Sequence, residues 1–71
     1  MRYLVISQVK DSSEDVELIA IEEDFSEVEE WMIAFLSNAL DVDYLKVSEE
    51  QAERCKKYLH KKVNKKVLTN D

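Results

Sequence analysis

The sequence predicts an α+β domain, a two-layer β-β-α-β-α arrangement in which two helices cover a three-stranded, mainly antiparallel sheet. Two short runs rich in β-branched and aromatic residues open the chain, separated by a polar break. From Glu22 to Leu40 apolar residues recur at helical spacing, and Ser48 and Gln51 stand at capping-box spacing ahead of a second apolar stripe. The 71 residues read as a single domain, with the tail over about 67–71 expected to fray.

Residues 2–9, RYLVISQV, form the first expected strand. Alternation turns Tyr3, Val5, Ser7 and Val9 one way and Leu4, Ile6 and Gln8 the other. Neither face is clearly wet, so the strand is either central or paired with a second copy, and a homodimer is expected. Lys10 to Asp15 is a polar break whose Asp and Ser side chains can bond their own backbone and make a turn without glycine. Val16 to Glu22 returns as an antiparallel partner, giving a hairpin.

In EEDFSEVEEWMIAFLSNAL, taken at roughly 100° per residue, Phe25, Val28, Met32, Phe35, Leu36 and Ala39 share one side. Glu23, Glu27 and Glu30 fall near the opposite side. Ser26 with Glu29 offers one capping-box start and Asp24 with Glu27 a rival one, and the helix is expected to end near Asn38 to Leu40. Asp41 to Val47 alternates as a third strand, with Val42, Tyr44 and Lys46 opposite Asp43, Leu45 and Val47. Ser48 and Gln51, flanked by the staple pair Val47 and Ala52, start a second helix. It carries Ala52, Cys55, Leu59, Val63 and Val67 as its apolar stripe, with Arg54, Lys57, Lys61 and Lys65 on the far side.

Charge is distributed in blocks. The net charge is −6, yet residues 11–53 hold fifteen acids against Lys46 alone, and residues 54–66 hold seven bases and no acid. Such a pattern bears on partners and association rates. The chain has no Gly and no Pro, which excludes glycine-rich phosphate loops, the EF-hand loop and G-x-S-x-G nucleophile elbows. A single Cys55 allows no internal disulfide and fits a reducing compartment. No run has the length of a membrane span and the opening apolar run is short for a signal peptide, so a cytoplasmic protein without membrane contact is expected.

Cys55 and His60 lie about 140° apart on one helix and cannot form a dyad there. Cys55 reads as a small core residue and His60 as a surface one. Asp41 and Asp43 read as surface acids rather than cation ligands, so neither cofactor nor metal is expected. With no pocketed acid or base in view, neither is an enzymatic activity. Trp31, at the edge of the apolar face, reads as a boundary core residue or as an anchor for a protein partner. The basic run from Arg54 to Lys66, with Tyr58 interleaved, reads as a solvated helix face, or alternatively as a grip on nucleic acid.

The acids are more concentrated than solubility requires: Glu22, Glu23, Asp24, Glu27, Glu29 and Glu30 fall within nine residues. Carboxylates on successive helical turns stand about 5–6 Å apart at Cβ, near the spacing of phosphates along a DNA strand. A surface of Asp15, Glu17, Glu22, Glu23, Asp24, Glu27, Glu30 and Trp31 would then meet the basic groove of a DNA-binding protein, with no direct contact to nucleic acid. In size, acidity and charge blocks, and in this carboxylate row, the chain resembles the small acidic proteins with which bacteriophages disable host proteins. Among these it resembles the DNA mimics. The resemblance implies inhibition of a nucleoid-associated or regulatory host protein, such as the histone-like protein HU, in the host cytoplasm. The basic block departs from an evenly acidic mimic. A regulatory dimerisation module that binds its partner through Trp31 is the alternative.

Overall fold

The structure is a computed structural model that describes residues 1–36 and 41–69. The elements run β1 (Arg2–Gln8), β2 (Asp15–Glu22), α1 (Phe25–Leu36), β3 (Val42–Val47), α2 (Glu49–Cys55), a 3-10 turn at Lys56–Tyr58, β4 (Lys62–Asn64) and α3 (Lys65–Thr69). The strands form one sheet in the order β3-β1-β2-β4, antiparallel at every neighbour. The α+β class and the hairpin therefore stand. The expected three strands and two helices become four strands and three helices among the described residues. The expected end of the first helix, near Asn38 to Leu40, lies outside those residues. No described helix is long and apolar enough to cross a membrane.

The two-layer expectation also needs correction, because both faces of the sheet are covered. Leu4 and Ile6 of β1 join Val16, Leu18, Val47, Ala52, Cys55, Val63 and Leu68 in one buried cluster, beneath α2 and α3. Val5 faces the other way and joins Ile19, Ala20 and Val28, with Trp31, Met32 and Phe35 of α1 packed around them. The two-sided apolar character of β1 is thus used within one chain. A register shift between Val5 and Ile6 adapts β2 to this arrangement: Val5 pairs with Ala20 and Ile6 with Leu18, leaving Ile19 as an extra residue. The bulge turns Ile19 and Ala20 both toward α1, so that Leu18, Ile19 and Ala20 are buried in succession. Full burial of Leu4, Val5, Leu18 and Val28 contributes about 1.5–3 kcal/mol for each side chain.

The starts of α1 and α2 are marked by local contacts. α1 begins at Phe25, which selects Asp24, the second of the two expected starts, as the residue before it; the Glu27 N–H bonds the Asp24 carbonyl at 3.1 Å. At α2 the expected capping box is complete. The Gln51 N–H donates to the Ser48 hydroxyl, and the Ser48 N–H donates to the Gln51 side chain.

The expected continuous helix through Arg54–Lys66 is not formed. α2 ends at Cys55, Leu59 is extended with ψ at 129°, and His60 adopts a φ of 61°. The cause is the outer edge of β2, whose backbone groups need partners. The His60 N–H donates to the Leu18 carbonyl and the Leu18 N–H to Lys61, while Lys65 N–H reaches Glu14 at 2.8 Å. β4 then pairs Lys62 with Glu17, Val63 with Val16 and Asn64 with Asp15. A helix would satisfy its own backbone and leave that edge bare. In the tail expected to fray, Leu68 is buried in the core cluster.

In a chain without glycine, the left-handed turn before β4 falls to His60, a residue type that tolerates this region better than most. Replacing His60 with Val, whose branched Cβ does not fit there, is expected to cost about 1–3 kcal/mol in urea unfolding, and replacement with Asn to be nearly neutral. Equal stability of the Val variant and the wild type would show that the turn does not constrain the fold.

Candidate interaction surface

The acidic surface is built where β2 passes into α1. Glu22, the last residue of β2, lies in register with Tyr3. Its carboxylate accepts the Trp31 indole N–H at 2.7 Å, which ties the second turn of α1 to the strand it left. Tyr3, Phe25 and Tyr44 meet edge to face at 5.6, 5.9 and 5.1 Å and fix the start of the helix over β1 and β3. Trp31 stacks on Phe35 at 6.0 Å. The indole is half-buried with its N–H bonded to Glu22, so the Trp31 expected at the edge of the apolar face is part of the scaffold.

On this base the carboxylates crowd one another. Glu27 is held above the ordinary carboxyl value of 4.5, foremost by a hydrogen bond with Glu22 and by the charge of Glu22. Slight desolvation and the charges of Asp24 and Glu30 act in the same direction. Glu22, Asp24, Glu27 and Glu30 therefore share one electrostatic neighbourhood, with Glu29 exposed on the same helix. None of these five makes an ion pair among the described residues.

The remaining expected site residues lie elsewhere. Glu23 precedes the helix, so the row Glu23, Glu27, Glu30 is not one helical face. Its carboxylate pairs with Arg2 at 3.0 Å, and Arg2 also bonds Glu49 at 2.9 Å, joining β1, the end of β2 and the start of α2. Asp15 and Glu17 are at the far end of β2, in register with Asn64 and Lys62. The structure thus brings together Glu22, Asp24, Glu27, Glu30 and Trp31 but not Asp15, Glu17 or Glu23. Strand-to-helix geometry separates them, and only the choice of Asp24 as the helix start could have signalled it for Glu23.

The basic block is divided. Arg54 pairs with Glu50 at 3.3 Å and Lys56 with Glu53 at 2.6 Å, which holds the Glu53 carboxyl below its ordinary value. Lys57 lies over the Tyr58 ring at 5.1 Å and covers the face on which a base would stack. Cys55 is buried in the core cluster and His60 is exposed, as expected. No group of three or more His, Cys, Asp and Glu side chains suited to a metal ion occurs among the described residues. In comparison with known proteins, no family model, no curated protein and no solved structure matches the chain.

The raised value of Glu27 fixes the sign of a pH effect. The folded chain binds this proton more readily than the unfolded chain, so the favourable contribution is full below 4.5 and is lost as pH rises through the folded value. Glu27→Gln keeps a side chain able to bond Glu22 and removes the charge. It is expected to melt above the wild type at neutral pH, by a margin that narrows as pH falls through the raised value and has levelled off by 4.5. Thermal denaturation followed by circular dichroism reads this difference, and a margin independent of pH would show that Glu27 is not crowded.

Proposed function

We propose that this chain is a non-enzymatic interaction protein whose acidic surface competes with DNA for the basic surface of a DNA-binding protein. One observation carries the reading. Glu22, Asp24, Glu27 and Glu30 are presented together without a cation, whereas Glu23, Glu49, Glu50 and Glu53 each have one. Like charges held together cost stability, and a partner that brings Lys or Arg side chains removes the cost. The surface differs from the one expected of a helical row: it is a compact cluster centred on Glu22 and Glu27, rooted by the Trp31 bond. It is complete in one chain and needs no second copy.

Two features favour this over the alternatives. A module anchored by Trp31 would have to withdraw the indole from Glu22 and from its packing against Phe35. Nucleic-acid binding by the basic block would draw on lysines divided between a 3-10 turn, an edge strand and a short helix, with Tyr58 already covered by Lys57. A cytoplasmic basic protein of the nucleoid type, such as HU, is the class of target whose groove matches a cluster of carboxylates.

The test is binding to such a nucleoid protein, with duplex DNA as competitor. The affinity should fall steeply with added salt, since exposed attractions are screened beyond about 8 Å at physiological ionic strength. Because a cation brought beside Glu27 lowers its proton affinity, binding should release protons at pH values between 4.5 and the raised value. The triple variant Glu22→Gln, Glu27→Gln, Glu30→Gln, shown to be folded, should associate more slowly with a smaller change in dissociation rate. Unchanged affinity and salt dependence in that variant would reduce the cluster to a solvated surface.

A further inference from the structure

The sheet has two edges, and they are protected differently. β4 closes one edge with only three residues, a length too short to template another strand. β3 leaves six residues, Val42–Val47, along the other. Hydrogen-bond parity shows which groups it offers. The Gln8 N–H donates to the Asp41 carbonyl at 2.9 Å, and Ser7 is in register with Val42. Alternation in an antiparallel ladder then turns the backbone groups of Asp43, Leu45 and Val47 toward β1, and those of Val42, Tyr44 and Lys46 outward. Tyr44 is the middle of the three outward residues. Its N–H is already taken, because it donates to Oδ1 of Asp43 at 2.8 Å.

We propose that the β3 edge is a surface fitted to the same strand of a second copy, and that Asp43 keeps it closed. Antiparallel pairing about a two-fold axis through Tyr44 sets Tyr44 against Tyr44 and Val42 against Lys46, so every outward residue meets an outward residue. This register also keeps each side chain on its own face of the enlarged sheet. The Tyr44 N–H is the central donor of that ladder. While the Asp43 carboxylate holds it, a second strand must break a charge-assisted hydrogen bond and bury a carboxylate at the seam, where the two Asp43 side chains would also approach each other. The two-sided apolar strand that pointed to a dimer is covered on both faces within one chain, and the longer of the two edges among the described residues is guarded. This inference is independent of the partner of the acidic surface.

The test compares wild type, Asp43→Asn and Asp43→Ala by sedimentation equilibrium and amide hydrogen exchange. Asn keeps an oxygen that can accept from Tyr44 and removes the charge, and Ala removes both. Wild type should not pair through β3, the Asn variant should pair less than the Ala variant, and the Ala variant should approach about twice the monomer mass as concentration rises. In the Ala dimer the Val42, Tyr44 and Lys46 amides should become protected together. In the wild type the Tyr44 amide alone of these three should exchange slowly, by about tenfold, the factor that corresponds to roughly 1.4 kcal/mol. The proposal fails if the folded Ala variant remains monomeric, if it associates without protecting these amides, or if the Asn variant pairs as the Ala variant does. Should the Ala variant not fold, wild-type exchange decides: a Tyr44 amide as fast as those of Val42 and Lys46 overturns the guard.

Discussion

The fold depends on β1 being apolar on both faces. Leu4 and Ile6 demand cover on one side and Val5 on the other, so a chain of this length has to place helices on both sides of a single sheet. That demand accounts for the short helices. Among the described residues α1 covers its face, in 12 residues, and the opposite face is closed in pieces by α2 and α3. The division also dictates the bulge at Ile19, because β2 must supply extra apolar bulk beneath α1 while keeping Leu18 beneath α2.

Charge is managed by the same architecture. Arg2, at the start of the central strand, reaches both the end of β2 and the start of α2, and it neutralises Glu23 and Glu49 together. Exposed pairs of this kind are individually worth up to about 1 kcal/mol. Their larger effect is on distribution: they remove these acids from the surface of free carboxylates. In the basic block Arg54 and Lys56 likewise pair with Glu50 and Glu53. Where β2 enters α1, Glu22, Asp24, Glu27 and Glu30 stay without an ion pair among the described residues.

Most elements were legible because their signals are local. The capping box at Ser48 and Gln51 needs only four residues, and the β1–β2 hairpin follows from composition on either side of a polar break. The alternation of β3 was equally readable, with Val42 and Tyr44 packed toward α1 and Leu45 and Val47 toward α2. The region after Cys55 was not legible. Its lysines and apolar spacing favour a helix, yet what decides its structure is the unpaired edge of β2, some forty residues earlier in the chain, and tertiary pairing overrides local propensity. The same limit applies to the acidic surface. Spacing places Glu23 with Glu27, but the strand continues to Glu22 and the helix starts only at Phe25, so one carboxylate turns to Arg2 and the other to Glu22.

The scaffold beneath the acidic cluster is tied together by contacts of its own. Three mutually packed rings hold the start of α1, and the bond from Trp31 to Glu22 fixes the carboxylate that most perturbs Glu27. A flexible helix end would let these acids separate, since solvent offers each carboxylate a better environment than a neighbour of like charge. Here the rings hold the helix in place and the indole selects the orientation of Glu22, so the repulsion persists in the folded state. Local features that work against stability while their surroundings hold them in place concentrate at sites of function. By that reasoning Glu22 is the pivot of the surface: it faces inward to the indole through a hydrogen bond and outward to Glu27 through its charge, coupling the packing of α1 to the charge a partner would meet.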